Sequence, residues 1–354
     1  MNSSNETSIT ILNCSRLLEC FQQIPGVKEE FKEAFVHVFI LLPIALLGSV
    51  FNLLACLVLG KPEFKTRFFA FLRIYAFNSL CINVLDSFAY VQSWRYLGEI
   101  AQYYAATFYI YKVWYSLMIT GYFFGSILDS IVVFERLKLV KYQKYAWMDA
   151  HSPLKVSVCL YLVCLAINLS MFFDYDIASY DFKVNSGESF VIYRSQSSDF
   201  HSSRLGKVTT LVQVFLRDVT TLVVEVVLNV WSIVATRTYL KRKNIHMAGH
   251  VTGSMSEPSS RLGSSLLKFA TLNCVLSAVD HLLMLCAVLT SQFVGVQAGG
   301  WQRHLLNIAL FIATSKHAST FFVLFIFNKV FCKQVRAFFC RSCCFHKRKT
   351  HDLN

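Results

Sequence analysis

Seven long apolar runs, separated by short polar segments, set the pattern of this chain. They lie near Phe35–Gly60, Phe69–Val91, Ala105–Arg136, Leu154–Phe173, Val208–Thr236, Leu266–Leu289 and His304–Phe327. A helix that crosses a bilayer needs about 20 mostly apolar residues at about 1.5 Å each. A strand of a membrane barrel needs about half that number and alternates in polarity. These runs are too long and too evenly apolar for strands. In hydrocarbon the backbone must satisfy its own hydrogen bonds, so each run is predicted to be a helix. The fold class is therefore an all-α integral membrane protein. A polar tail (1–34) precedes a seven-transmembrane helix bundle (35–327), and a basic, Cys-rich segment (328–354) comes after it.

Composition agrees. The chain is 55% hydrophobic and only 16% charged, against roughly a quarter charged in soluble domains. Too few polar residues remain to coat a water-soluble fold of 354 residues. A soluble enzyme, a disordered chain and a disulfide-knot scaffold are all disfavoured.

Lys and Arg cluster in alternate loops. Lys61, Lys65 and Arg67 follow the first run, Lys138, Lys141 and Lys144 the third, and Arg237, Lys241, Arg242 and Lys243 the fifth. The tail adds Lys329, Lys333, Arg336, Arg341, Lys347, Arg348 and Lys349, while the intervening loops are near neutral or acidic. The positive-inside rule then predicts a plasma-membrane, multi-pass protein with its N-terminus extracellular and its C-terminus cytoplasmic. The net charge of +13 belongs to the inner face of the lipid bilayer and implies no nucleic acid partner. Three sequons, at Asn2, Asn5 and Asn13, make these residues candidate glycosylation sites on the outer tail. No charged segment leads into an early apolar run, so the first span is expected to act as the targeting signal. Cys14 and Cys20 share that tail and are a possible pair. Cys340, Cys343 and Cys344 stand among basic residues beside the membrane, a setting for S-acylation.

Ionisable residues inside the runs are costly in hydrocarbon and default to function or to paired structural roles. They are Asp86, Lys112, Asp129, Arg217, Asp218, Glu225, Asp280, His281, Lys316 and His317. In a seven-helix bundle the outer halves of spans three, five, six and seven enclose a cavity. Lys112, Arg217, Asp218, Asp280, His281 and Lys316 are therefore the candidate ligand-binding residues, for a peptide or a charged small molecule. The competing reading is internal ion pairs that hold helices together, Lys316 with Asp280 for instance. Only five prolines occur, with Pro43 alone well inside a span, which predicts helices with few proline kinks.

Particular residues narrow the class. Gly48-Ser49-Val50-Phe51-Asn52 places one polar Asn in the first span, and Glu135-Arg136-Leu137 closes the third. Trp94 stands in the second loop, and Phe327-Asn328-Lys329-Val330-Phe331 comes after the last span. In order and spacing these resemble the rhodopsin-like (class A) G protein-coupled receptors, and in particular a divergent, invertebrate-type orphan member. The resemblance implies helix-packing roles for Asn52, Trp94 and Phe331, and a short amphipathic helix after span seven. It implies an extracellular ligand and a heterotrimeric G protein as partners, with Glu135 and Arg136 at the coupling switch and pairing at rest. No cofactor is implied. The chain also departs from the family. Leu137 replaces the aromatic after the acidic-Arg pair. The helix 3 cysteine position falls near Tyr111, and the fourth loop has no cysteine to join it. The helix 6 Trp-Pro motif is missing, and Thr320 to Leu324 stand where the helix 7 Asn-Pro motif belongs.

Three other readings compete. A transporter or channel is disfavoured by seven unrepeated spans without a broken Gly/Pro helix pair. A seven-span zinc-dependent hydrolase lacks paired His spacing, so no metal ligands are assigned. An opsin-like photoreceptor would need Lys316 about a turn further out.

Overall fold

The computed structural model describes residues 10–12, 34–92, 103–141, 150–184, 189–248, 272, 275–287, 289–290 and 301–351. Trp94, the sequons at Asn2, Asn5 and Asn13, and Cys14 and Cys20 lie outside them, as do the side chains of Cys343 and Cys344. Six described helices are long and apolar enough to cross a membrane: α1 (Ala34–Leu59), α2 (Arg67–Val91), α3 (Tyr104–Lys138), α4 (Pro153–Phe173), α5 (Arg204–Tyr239) and α7 (His304–Phe327). A shorter apolar helix, α6 (Val275–Ala287), lies where the sixth run was expected. Helix α8 (Lys329–His351) comes last. The chain is a seven-transmembrane helix bundle.

Polarity is inverted relative to a soluble protein. Leu46, Leu47, Val50, Leu53 and Leu57 of α1 face outward, as do Val223, Val227, Val230 and Val234 of α5. Asn52, Asn83, Asp86, Asp129, Glu225, Lys316 and His317 are buried inside. Lipid solvates the apolar faces, and several of the buried polar groups bond across helices. Asn52 Nδ2 donates to the His317 carbonyl at 2.9 Å, tying α1 to α7. Asn78 Nδ2 donates to the Gly121 carbonyl at 3.0 Å, tying α2 to α3. Gln213 Nε2 reaches Ser170 Oγ of α4 at 2.7 Å. Gly48 lets α1 come close: a Cβ there would lie 2.6 Å from Asn83 Nδ2 and 2.8 Å from Ala318 Cβ.

At the end of the bundle that carries α8, Phe331 is fully buried with Phe64, Phe71 and Phe321. Its ring sits 5.6 Å from that of Phe321. Helix α8 is longer than the short helix anticipated, at 23 residues. Cys340 is exposed on it with a free thiol.

The opposite end carries a feature the polarity pattern did not give. The fourth loop forms an antiparallel hairpin, β2 (Tyr175–Val184) with β3 (Ser189–Ser197). Residues Thr10–Leu12 of the N-terminal tail add a third, parallel strand, β1, against Phe182–Val184. The root of the hairpin docks on α3. Tyr175 lies 5.7 Å from the Tyr111 ring and 5.6 Å from that of Tyr115. Lys112 donates to the Phe172 carbonyl at 2.7 Å and pairs with Asp176 at 3.7 Å. Aromatic and ionic contacts thus stand at Tyr111, where the class A resemblance would place a disulfide. Three π turns interrupt the helices, at His37–Leu41, Tyr109–Trp114 and Phe215–Thr220, the first of them running directly into Pro43.

Candidate functional site

The π turn of α5 carries Arg217 and Asp218, both buried. Such turns insert an extra residue and re-aim the side chains around them. Arg217 forks its own neighbour: Nε donates to Asp218 Oδ1 at 2.9 Å and Nη2 to Oδ2 at 2.7 Å. This two-bond geometry is the strong form of a carboxylate–guanidinium pair.

One turn and more along the bundle, five helices converge. Lys316 of α7 donates to Ser277 Oγ at 3.1 Å and to Asp280 Oδ2 at 3.3 Å, both on α6. Asp129 Oδ2 of α3 stands 3.7 Å from the same ammonium. Ser277 also bonds Glu225 of α5. His281 Nε2 lies 3.0 Å from Ser126 Oγ and 3.5 Å from Glu225 Oε1. His317 Nδ1 meets Ser79 Oγ at 3.0 Å. All of these ionisable groups are more than nine-tenths buried. Such a cluster persists in a dry interior only because its charges face one another at hydrogen-bonding range.

A cavity of about 30 Å³ opens beside the cluster toward the hairpin end. Its lining includes Tyr122, Phe123, Arg217, Asp218, Asp280, His281 and Lys316. Five of the six expected ligand residues therefore meet in one place. The sixth, Lys112, does not reach it. Its π turn delivers the ammonium to the hairpin root instead. The ion pair between Lys316 and Asp280, the competing reading of those residues, is present as well. At this volume the cavity has room for about one water molecule.

A second cavity of similar size lies on the other side of Lys316, toward the α8 end. Tyr75, Asp129, Asn229, Thr320 and Arg136 line it. Arg136 is buried at 4% exposure. Glu135 takes Arg67 Nε at 2.8 Å and Lys138 Nζ at 3.3 Å, so its acidic group links α3 to the start of α2.

Sequence reasoning flagged Asp129 and Glu225 as ionisable but did not assign them to the site. It missed Ser126 and Ser277, because buried hydroxyls leave no mark on a hydropathy pattern. Asp86 forms a separate knot: Trp114 Nε1 donates to Oδ1 at 3.0 Å and the Tyr122 hydroxyl to Oδ2 at 3.2 Å.

No family model matches the chain, and no curated protein matches it by sequence. Its structure is similar to the crystal structure of squid rhodopsin, with a TM-score of 0.66 at 10% identity, over 94% of this chain and 92% of that one. The chain therefore has the rhodopsin-like seven-helix fold and is a multi-pass membrane protein.

Proposed function

We propose that this chain is a plasma-membrane receptor of the G protein-coupled kind. The hairpin end faces outward, the α8 end faces the cytoplasm, and a ligand binds in the cavity lined by Arg217, Asp218, Asp280, His281 and Lys316. The observation that carries the reading is the position of Lys316. It lines both cavities, one open toward the ligand end and one running to Arg136. A ligand that draws on Asp280 or Lys316 competes with the contacts that α6 makes to α3, α5 and α7. Such competition shifts a two-state equilibrium of α6 by the difference in affinity between the states. Release of α6 exposes Arg136 and Glu135 to a heterotrimeric G protein.

Basic residues between spans support the orientation, and the exposed Cys340 on α8 supports lipid attachment there together with Cys343 and Cys344. A hydroxylamine-sensitive acyl label that persists after all three are changed to Ser would exclude that attachment. The photoreceptor alternative draws nothing from Lys316, whose ammonium is engaged by Asp129, Ser277 and Asp280. Among the described residues no three His, Cys, Asp or Glu side chains are grouped to hold a metal ion, so no observation favours the hydrolase.

The test is basal nucleotide exchange on a panel of G proteins, in membranes that carry the chain or its Arg136→Ala variant at matched surface expression. Exchange above background that falls in the variant is expected. Equal exchange from both proteins would remove Arg136 from the switch, and none with any G protein would count against coupling.

A further inference from the structure

We propose that His201 is a proton sensor: once protonated, its imidazole pairs with Asp174 and clamps the root of the hairpin onto the helix ends. The inference goes beyond the receptor reading and needs only that the root lies outside the hydrocarbon.

The local chain sets the ring in place. His201 sits in the turn Asp199–Ser202, between β3 and α5. Ser198 fastens that turn to the end of α4. Its Oγ accepts from His201 N at 3.1 Å and donates to the Phe173 carbonyl. Its N–H donates to the Asp174 carbonyl at 3.0 Å. The imidazole is thereby laid over the Tyr175 ring, with centroids 6.3 Å apart and planes within 18° of parallel. Tyr175 is the ring that docks the hairpin on Tyr111 and Tyr115 of α3.

Charge supplies the switch. Asp174 is 4% exposed. Burial holds its carboxyl above the usual carboxylate range, against the pull of His201 and Lys112. Lys112 is already engaged, with the Phe172 carbonyl and with Asp176. On the far side of the ring, Asp199 and Arg204 are exposed. Among the described residues, the basic group within 4 Å of the Asp174 carboxylate is His201, whose Nδ1 stands 3.7 Å from Oδ1. That Nδ1 is buried and makes no hydrogen bond. A neutral imidazole leaves the buried carboxylate without a counter-ion at this range, and an imidazolium supplies one. The positive ring also gains from the face of Tyr175.

Imidazoles change charge between about pH 5 and 8. Proton uptake and docking reinforce each other, so the root tightens as pH falls through that range and loosens as pH rises. In stronger acid Asp174 takes up a proton itself and the pair is lost.

The experiment is hydrogen exchange on the purified full-length chain in detergent micelles, corrected at each pH for the intrinsic rate. Protection of β2 and β3 is read against α2 as the internal reference. From about pH 8 to about pH 6 the hairpin is expected to gain threefold or more, below the tenfold of a full pKa unit because His201 is partly exposed. His201→Gln is expected to give a flat, low profile. His201→Arg, a cation that does not titrate, gives a flat, high one, a rescue that a merely structural role would not produce. The proposal is overturned if the wild-type profile is flat, if His201→Gln or Asp174→Asn keeps the rise, or if His201→Arg is as poorly protected as His201→Gln.

Discussion

Replacing Lys316 with Met keeps the aliphatic stem and removes the charge at the centre of the bundle. The ammonium stands 3.3 Å from Asp280 Oδ2 and 3.7 Å from Asp129 Oδ2. At an effective dielectric of about 20, each contact is worth roughly 5 kcal/mol of Coulomb attraction. Dehydrating the lysine offsets much of that. Breaking a buried pair by deleting one partner costs about 3–5 kcal/mol, because the other charge is stranded. We expect the lower end, about 3 kcal/mol, since a stranded carboxylate can take up a proton. For a chain of this size, at roughly 2 °C per kcal/mol, the melting midpoint falls by about 6 °C. The assay is thermal melting of purified protein in one detergent at neutral pH. A Lys316→Met/Asp280→Asn double variant removes one stranded charge and should recover about 2 °C or more, a non-additivity that reports direct contact. A single variant that melts within about 1 °C of wild type would refute the reasoning, as would two substitutions that simply add. Either result would mean that the cluster is hydrated and screened rather than dry.

Two further outcomes rest on the packing. Gly48→Val drives methyl groups into Asn83 and Ala318, whose atoms already lie within 3 Å of the position of a Cβ; overpacking of this kind costs about 1–3 kcal/mol, read as lower surface expression and an earlier melting transition. Tyr175→Ala empties the space between Tyr111 and Tyr115, so limited proteolysis should cut the hairpin faster while the melting of the bundle changes little.

The helices were legible because lipid forces long apolar runs, and hydropathy reads such runs directly. Their ends were less legible: α5 begins at Arg204 rather than near Val208, because a capping Ser203 starts it in polar sequence. The hairpin escaped notice although Asn185-Ser186-Gly187 stands between its strands as a turn signal. Its strands mix polar and apolar residues without the clean alternation that marks a half-buried strand. The site was half legible. An ionisable residue in a span announces itself, which brought Arg217, Asp218, Asp280, His281 and Lys316 forward. Which way it points does not. Lys112 is diverted by a π turn that no proline marks, and Asp129 and Glu225 face the cluster from helices whose inner sides periodicity alone did not fix.

The junction between the hairpin and α3 has a consequence for how this chain matures. Tyr175, Tyr111, Tyr115 and the Lys112–Asp176 pair come together by packing and charge, with no bond to oxidise. This docking step needs no oxidant and no disulfide isomerase, so it proceeds equally well in a reducing compartment. Of these contacts the Lys112–Asp176 pair weakens in concentrated salt while the aromatic packing persists, and a thiol reductant leaves both as they are.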